Sequence, residues 1–360
     1  MARLLDVARA AGVSRSTVSN VFSRPERVRP EIRERVEEAA RALGYAGPDP
    51  MGRALRGGKV NAVGIVPGGS LTTVFEHAYF HDFMHGAAEV CDRHHAALVM
   101  VSGVDEAAAT RGVKTALVDG FILHNPKEVQ TLVALAERRG LPFIAVDMDA
   151  PPRVSSIRLD NRDGARQAIR HLLGLGHRRF AVFSFLLPDR GYVGPIYHAP
   201  GDPGRRLVET FHDTRERLAG YAEALAEAGL SIGDVPIVEA FSDESRVGAG
   251  ARMLLDNLGD ATAVVAMADD LAISVLKEAR RRGIVTPAEL SVVGFDDIAA
   301  ASSAVPPLTT IAQPIRAKGS AAAEFILAPP AEPVHVVLPV KLVVRGSTGP
   351  PRGAPPKPAH

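Results

Sequence analysis

The chain has 360 residues, 42 Lys+Arg against 41 Asp+Glu, and one cysteine. This length suits two or three domains with a sizeable core. The lone Cys91 excludes an internal disulfide framework and a Cys-based zinc site, and no run of about eighteen apolar residues marks a membrane span. The charge is unevenly placed: residues 1–59 hold 12 Lys+Arg against 7 Asp+Glu and the remainder 30 against 34. A basic N-terminal piece on a mildly acidic body points to a small polyanion-binding head. Asp6 and Arg9 interrupt the apolar start MARLLDVARAAG, so no signal-peptide core is present and a soluble, cytoplasmic protein is expected.

Val7, Ala8 and Ala11 share one helical face, and Gly12 supplies a permissive turn. Ser14 is a good N-cap for a second helix starting at Arg15, on which Val18 and Val21 face inward. Two short helices joined through AAGVS describe a helix-turn-helix, whose second helix enters the major groove. Its outward residues are Arg15, Ser16, Thr17 and Asn20. Arg pairs in bidentate fashion with guanine and Asn with adenine, while Ser14 and Thr17 suit phosphate. The bland alternative is a generic hairpin with a solvated polar face. A third helix, with Pro30 in its first turn and Ile32, Val36, Ala40 and Leu43 as its inner stripe, stops at Gly44.

Residues 47–59 are Gly/Pro-rich and basic. Asp49 as N-cap, Pro50 in the first turn and Gly57-Gly58 as a stop allow a helix of about two turns over Pro50–Arg56. A helix this short, weakened further by Gly52, orders only when held by DNA and a symmetry mate. From Val60 onward, continuous apolar runs alternate with amphipathic stretches: 62–66, 97–101, 120–123, 143–146, 180–185, 263–267 and 290–295. That is the pattern of βαβ units and parallel sheets with both faces covered, here long enough for two lobes. The Pro-rich end, 347–360, is expected to be disordered.

The body shows none of the enzyme signatures: no G-x-G-x-x-G after a strand, no Walker A motif, no G-x-S-x-G elbow. No catalytic residue and no cofactor are assigned, and the chain is not read as an enzyme. His77, His81 and His85 recur on one helix face with His94 and His95 nearby, but a half-exposed face is the reading preferred to a metal site. Cys91 reads as a small buried apolar residue. A binding site remains. In open α/β sheets ligands sit beyond the carboxyl ends of strands, where Ser70, Asp147, Asp269, Asp270 and Asp296 fall. Asp270 is the one set aside as a helix cap. Arg217 opens the helix RERLAGYAEAL. Carboxylates and an Arg at a cleft suit a polyhydroxylated ligand, although Arg217 could simply pair with one of the acids.

LLDVARAAGVSRSTVSNVF, VRPEIRERVEEAARALGY and GRALRGGKVNAVGIV, then VDMDAPPRVSSIRLDNRDGARQAIRHLLGLGHRRFAVFS, RERLAGYAEAL, AVVAMADDLA and LSVVGFDD with PPLTTIAQP, resemble in one order the LacI/GalR (lactose/galactose repressor) family over about residues 3–346. The resemblance implies a homodimeric repressor: a helix-turn-helix head at 1–46, a hinge at 47–59 and a periplasmic-binding-protein-like body of two lobes at 60–346. Lobe 1 would take about 60–160 and 314–330, lobe 2 about 161–313 and 334–346. It also implies that Leu55 wedges between base pairs from the minor groove, with Arg53 and Arg56 near phosphates. Its partners would be a palindromic DNA operator and a small effector, a sugar or polyol, with no membrane. The effector would be held by Ser70, Asp147, Arg217, Asp269 and Asp296, with Asp269 and Asp296 on opposite sides of the hinge region. Two departures affect the ligand: Asp269 stands where the family commonly has Asn, and the connection 186–212 is longer than usual. A solute receptor of the same fold, and a regulator answering to a nucleobase or other non-sugar metabolite, remain the alternatives. Without a C-terminal heptad helix, a dimer is expected.

Overall fold

The computed structural model describes residues 2–23, 25–47, 59–126, 129–185, 194–201, 211–240 and 244–352, with the side chains of 23 and 244–246 outside that description. The chain divides into two units, residues 1–62 with 117–119, and residues 63–116 with 120–360. The expected hinge helix, with Arg53, Leu55 and Arg56, lies outside the described residues.

The first unit carries helices α1 (Leu4–Ala10), α2 (Arg15–Ser23) and α3 (Pro30–Ala42). The apolar residues spaced one helical turn apart converge on a core of Val7, Ala8, Ala11, Val18, Val21, Val36 and Ala40. Gly12 turns the chain between α1 and α2 at φ +62°, a left-handed conformation that costs glycine nothing. Ser14 caps α2 as expected, its Oγ accepting the Thr17 N–H at 3.1 Å. Phe22 and Tyr45 meet edge to face, with ring centroids 5.6 Å apart.

The second unit holds two sheets. The first is built from β1 (Ala62–Pro67), β2 (Ala97–Met100), β3 (Gly120–His124), β4 (Phe143–Val146), β5 (Ser156–Leu159) and β12 (His335–Leu338). The second is built from β6 (Phe180–Phe185), β7 (Ile196–His198), β8 (Ile237–Ala240), β9 (Ala263–Ala266), β10 (Ser291–Asp296), β11 (Thr309–Ala312) and β13 (Lys341–Val343). The spatial orders are β12-β5-β4-β3-β1-β2 and β13-β11-β10-β9-β6-β8-β7. Every apolar run predicted as a strand is one. Each core is dominated by those runs: Val63, Ile65, Ile122, Ile144 and Val146 in lobe 1, Phe180, Val182, Val264, Val265, Val292 and Val293 in lobe 2.

The chain passes between the lobes at Asp160, at Gln313-Pro314, and between β12 and β13. The expected lobe boundaries need one correction. Segment 334–346 does not belong wholly to lobe 2: His335–Leu338 pairs in parallel with Ser156–Leu159 of lobe 1, and only Lys341–Val343 pairs with β11, antiparallel. A β-strand can satisfy either sheet edge, so its apolar content alone could not choose. The expected disorder of 347–360 is corrected in part as well. Ser347 is fully buried, its hydroxyl donating to Val292 O at 2.6 Å and accepting from Thr309 N at 2.8 Å, and Gly349 O lies 2.9 Å from His177 Nε2. Backbone and hydroxyl bonds hold this Pro-rich stretch where helix or strand propensity would not. Residues 353–360 lie outside the described residues. Part of the long 186–212 connection forms β7, which pairs antiparallel with β8 at the edge of the second sheet.

Candidate functional site

Strand register brings the carboxyl ends of both sheets to one cleft. In lobe 1, Pro67 is level with His124 and His124 with Val146, so His124 and Asp147 emerge side by side. In lobe 2, Asp296 is level with Ala312, which places Gln313 next to Asp296. The backbone is strained at these ends: Asn125, Asp147 and Asp297 have φ of +50°, +53° and +60°, and Asp296 has φ +120°. Non-glycine residues keep such conformations only where the surroundings enforce them, commonly at binding sites.

Helices α5 (Ala78–Arg93) and α13 (Ile315–Leu327) then supply side chains to lobe 1. They pack backbone to backbone at Gly86 and Gly319, where any Cβ would collide with Arg316 O or Phe83 O. This close approach sets Tyr79 against Lys318. Lys318 is fully buried. Its ammonium donates to Asp147 Oδ2 at 2.5 Å, Gln313 Oε1 at 2.8 Å and Tyr79 OH at 3.0 Å. Tyr79 OH donates in turn to Asp147 Oδ2 at 2.8 Å. With that hydrogen committed, His124 Nε2, 3.0 Å from Tyr79 OH, must be the donor of its pair. Gln313 Nε2 donates to Asp296 Oδ1 at 2.5 Å. A continuous polar chain therefore runs from Asp147 in lobe 1, through Lys318 and the crossing residue Gln313, to Asp296 in lobe 2.

The lobe 2 wall is built on α9 (His212–Glu227) and the start of α8 (Asn161–Gly174). Arg217 is 4% exposed. Its Nε donates to Asn161 Oδ1 at 2.9 Å, an Nη donates to Met267 O, and its guanidinium lies 3.7 Å from the Phe295 ring centroid. Stacking and two bonds fix the fork, and they leave donors without a protein partner among the described residues. Asn161 Nδ2 donates to Asp213 Oδ1 at 3.0 Å. At the rim, Asp149 of lobe 1 lies 2.8 Å from both His212 Nδ1 and Arg215 Nη2 of lobe 2, and His77 lies 3.7 Å from Asp270.

The electrostatics differ among the acids. Burial pushes Asp147 up, but the Lys318 ammonium and His124 outweigh it and hold the carboxyl well below the usual carboxylate range. Burial, opposed by the Arg217 charge and the Gln313 bond, pushes Asp296 up to about 7. Asp213 is raised by burial and then by the Asp147 charge, with Arg217 and Lys318 pulling the other way. Asp147 Oδ1 is buried and has no hydrogen-bond partner among the described residues.

Of the residues expected at the site, the structure brings Asp147, Arg217 and Asp296 together. Asp269 is placed differently. It is fully buried, its Oδ1 accepting from Thr310 Oγ1 at 2.5 Å and its Oδ2 from Ile298 N at 2.9 Å, and burial raises its pKa well above the ordinary value. It sits with Asp296 in lobe 2 rather than across the hinge, because α11 (Asp269–Arg281) starts there and turns the side chain inward. Asp270, set aside as a cap, is the partly exposed neighbour that reaches across to His77. Ser70 caps the short helix α4 (Leu71–Glu76), its Oγ accepting Thr73 N–H at 3.1 Å. Asp297 is held by Arg345 at 2.6 Å. Sequence reasoning missed Tyr79, His124, Asn161, Asp213, Gln313 and Lys318. The rule that picked Asp147 after β4 would have picked His124 at the end of β3, and Asp213 sits one turn before Arg217.

On the head, Ser14, Arg15, Ser16 and Asn20 are exposed and Thr17 partly so. Ser14 Oγ lies 2.7 Å from Ser16 Oγ and 2.8 Å from Thr17 Oγ1. The first turn of α2 thus presents a hydroxyl cluster beside the exposed Arg15 and Asn20 side chains. The histidine stripe does not converge: His81 pairs with Phe75 O at 2.6 Å and His85 with Glu89 at 3.1 Å. No group of metal-holding side chains occurs among the described residues, and none of their helices is long and apolar enough to cross a membrane. Cys91 is buried.

Known proteins match this chain along nearly its whole length. The model of bacterial regulatory proteins of the lacI family matches residues 3–47. That of periplasmic binding proteins and sugar binding domains of the LacI family matches 69–187, and that of periplasmic binding protein-like domains matches 169–348. An HTH-type transcriptional regulator of Mycobacterium tuberculosis is 36% identical over 357 residues, covering 97% of this chain and 98% of the relative. The lac repressor dimer bound to operator and the anti-inducer ONPF superposes with a TM-score of 0.75 at 25% identity, covering 97% and 99%. The transcriptional regulator CelR in complex with cellobiose gives 0.67 at 27% identity, covering 96% and 100%. With its helix-turn-helix head and two-lobed body, the chain belongs to the LacI family of bacterial DNA-binding transcriptional regulators.

Proposed function

We propose that this regulator is a repressor which binds a palindromic operator as a homodimer and is controlled by a neutral sugar or polyol closing the interlobe cleft. The observation that carries the effector half is the buried Asp147 Oδ1, which has no hydrogen-bond partner among the described residues, on a carboxylate whose charge is felt by Asp213 of the lobe 2 wall. A buried acceptor without a donor is costly, and a ligand hydroxyl removes that cost. Donors from Arg217 complement the carboxylates, since each sugar hydroxyl both donates and accepts. Ser70 and Asp269 support the cleft by capping and anchoring rather than by contact. On DNA, Arg15, Ser16, Thr17 and Asn20 read or position the major groove, with Ser14 as cap. Leu55 wedges the minor groove between Arg53 and Arg56. Two-fold recognition of a palindrome requires two heads, hence the dimer.

Effector and operator affinities are then reciprocally linked. The test is an electrophoretic shift on palindromic fragments, with and without a panel of sugars and polyols. A specific shifted complex of dimer mass, altered by a panel member, is expected. No sequence-specific shift refutes the operator reading; a specific shift altered only by a nucleobase or phosphate refutes the polyol reading. In the same assay Leu55→Ala should reduce DNA bending, and unchanged bending removes the wedge.

A further inference from the structure

Lys318 is an unusual occupant for a ligand cleft: a fully buried ammonium on α13. An ammonium has three N–H donors, and here all three are used, on Asp147, Gln313 and Tyr79. It therefore keeps no donor for a ligand and is not an anion-binding group. Its ionic partner among the described residues, Asp147, receives both Lys318 and Tyr79 on Oδ2, while Oδ1 has no partner among them. The ammonium thus cancels the charge of the carboxylate without occupying the oxygen that is left for a ligand. On the lobe 2 side Arg217 stands beside Asp213 and Asp296, so positive and negative groups alternate around the cleft.

We infer that Lys318 is a specificity-determining counter-ion, which neutralises Asp147 so that the cleft accepts uncharged hydroxyl donors and discriminates against amines. The inference rests on the effector reading above and deepens it. An amine placed against Asp147 Oδ1 would meet the Lys318 ammonium one carboxylate away, on a pair whose negative charge is already cancelled. Without Lys318 the same oxygen belongs to a buried carboxylate left with only the Tyr79 bond and the His124 imidazole 3.6 Å away, for which an amine is the better partner.

The test uses the full-length protein, Lys318→Met, and the double variant Asp147→Asn/Lys318→Met. Melting without ligand comes first. A counter-ion role predicts that the single variant melts lower than the double, since only the single leaves an unpaired buried charge. A double variant no more stable than the single overturns the assignment, because it makes Lys318 a packing residue only. Calorimetry follows with neutral hexoses, disaccharides and polyols beside hexosamines and amino polyols. Wild type should prefer a neutral compound, and Lys318→Met should shift the ratio toward the matching amine by about tenfold or more. The double variant should not. An unchanged ratio in Lys318→Met, or a wild type that prefers the amine, overturns the inference. A wild type that binds nothing in the panel overturns the carbohydrate reading and the selection with it, leaving the melting comparison to decide the counter-ion role.

Discussion

The head and the cleft solve recognition in opposite ways. On the head, Arg15, Ser16 and Asn20 are exposed, and the core beneath them is built from other residues. In the cleft, Asp147, Arg217, Asp296 and Lys318 are all buried and bonded to one another or to intermediaries. The difference follows from the partner. A duplex brings its own charge and hydration to an open surface, whereas a small ligand must be enclosed, so its contacts are desolvated and organised in advance. Function and stability should therefore separate in the head and be entangled in the cleft.

The largest expected effect tests the entangled half. Asp147→Ala leaves the Lys318 ammonium buried without a counter-charge, which should cost the body about 3–5 kcal/mol. Chemical denaturation of the ligand-free protein measures this; a body of unchanged stability would mean the network carries no weight. Arg15→Ala tests the separated half. It should leave stability within about 0.5 kcal/mol, as exposed substitutions do, yet cost about 1–3 kcal/mol of operator affinity and relax preference at one symmetric base pair. Binding titrations on operator variants would show it; uniform weakening across sequences would reassign Arg15 to phosphate. Ser14→Ala lies between the two, because the hydroxyl caps α2. The head should lose about 1 kcal/mol, and an unchanged thermal midpoint would show the cap to be idle.

The remaining test is a pH dependence. Asp296 is raised from its ordinary value of 3.8 to about 7, so the folded protein binds this proton more tightly than the unfolded chain does. Its contribution to stability is full below pH 3.8 and is lost as pH rises through about 7. Asp147 has the opposite sign, and its contribution is lost only in more acidic solution. Melting of wild type minus that of Asp296→Asn should therefore fall between pH 4 and 7, a window set by the two values for Asp296. A flat difference would show that Asp296 titrates normally.

Much of the fold is legible from short-range pattern. Strands β1, β3, β4, β6, β9 and β10 are continuous apolar runs because parallel strands covered on both faces leave no polar side. The strands missed are those without such runs. SIRL of β5 carries Ser156 and Arg158, IVEA of β8 carries Glu239, TTIA of β11 carries Thr309 and Thr310, and β7, β12 and β13 lie at sheet edges. The cleft divides the same way. Asp147 and Asp296 follow predicted strands, so a rule about strand ends finds them. That rule also selects Asp269, because sequence position does not say which way a side chain turns.

Sequence by itself determined what neighbouring residues decide: the spacing of Val7, Ala8, Ala11, Val18 and Val21, the Gly12 turn, the Ser14 cap, and the alternation of apolar runs with amphipathic helices. Helical and extended periodicities, and the φ that glycine alone takes freely, are properties of a few consecutive residues. Only tertiary structure decided that Lys318 is buried on Asp147 across 171 positions of chain, that Asp269 faces Thr310 and Ile298, and that β12 joins lobe 1. Each depends on helices and strands from distant segments meeting in one register, and the energy of a buried charge is set by what surrounds it rather than by what precedes it.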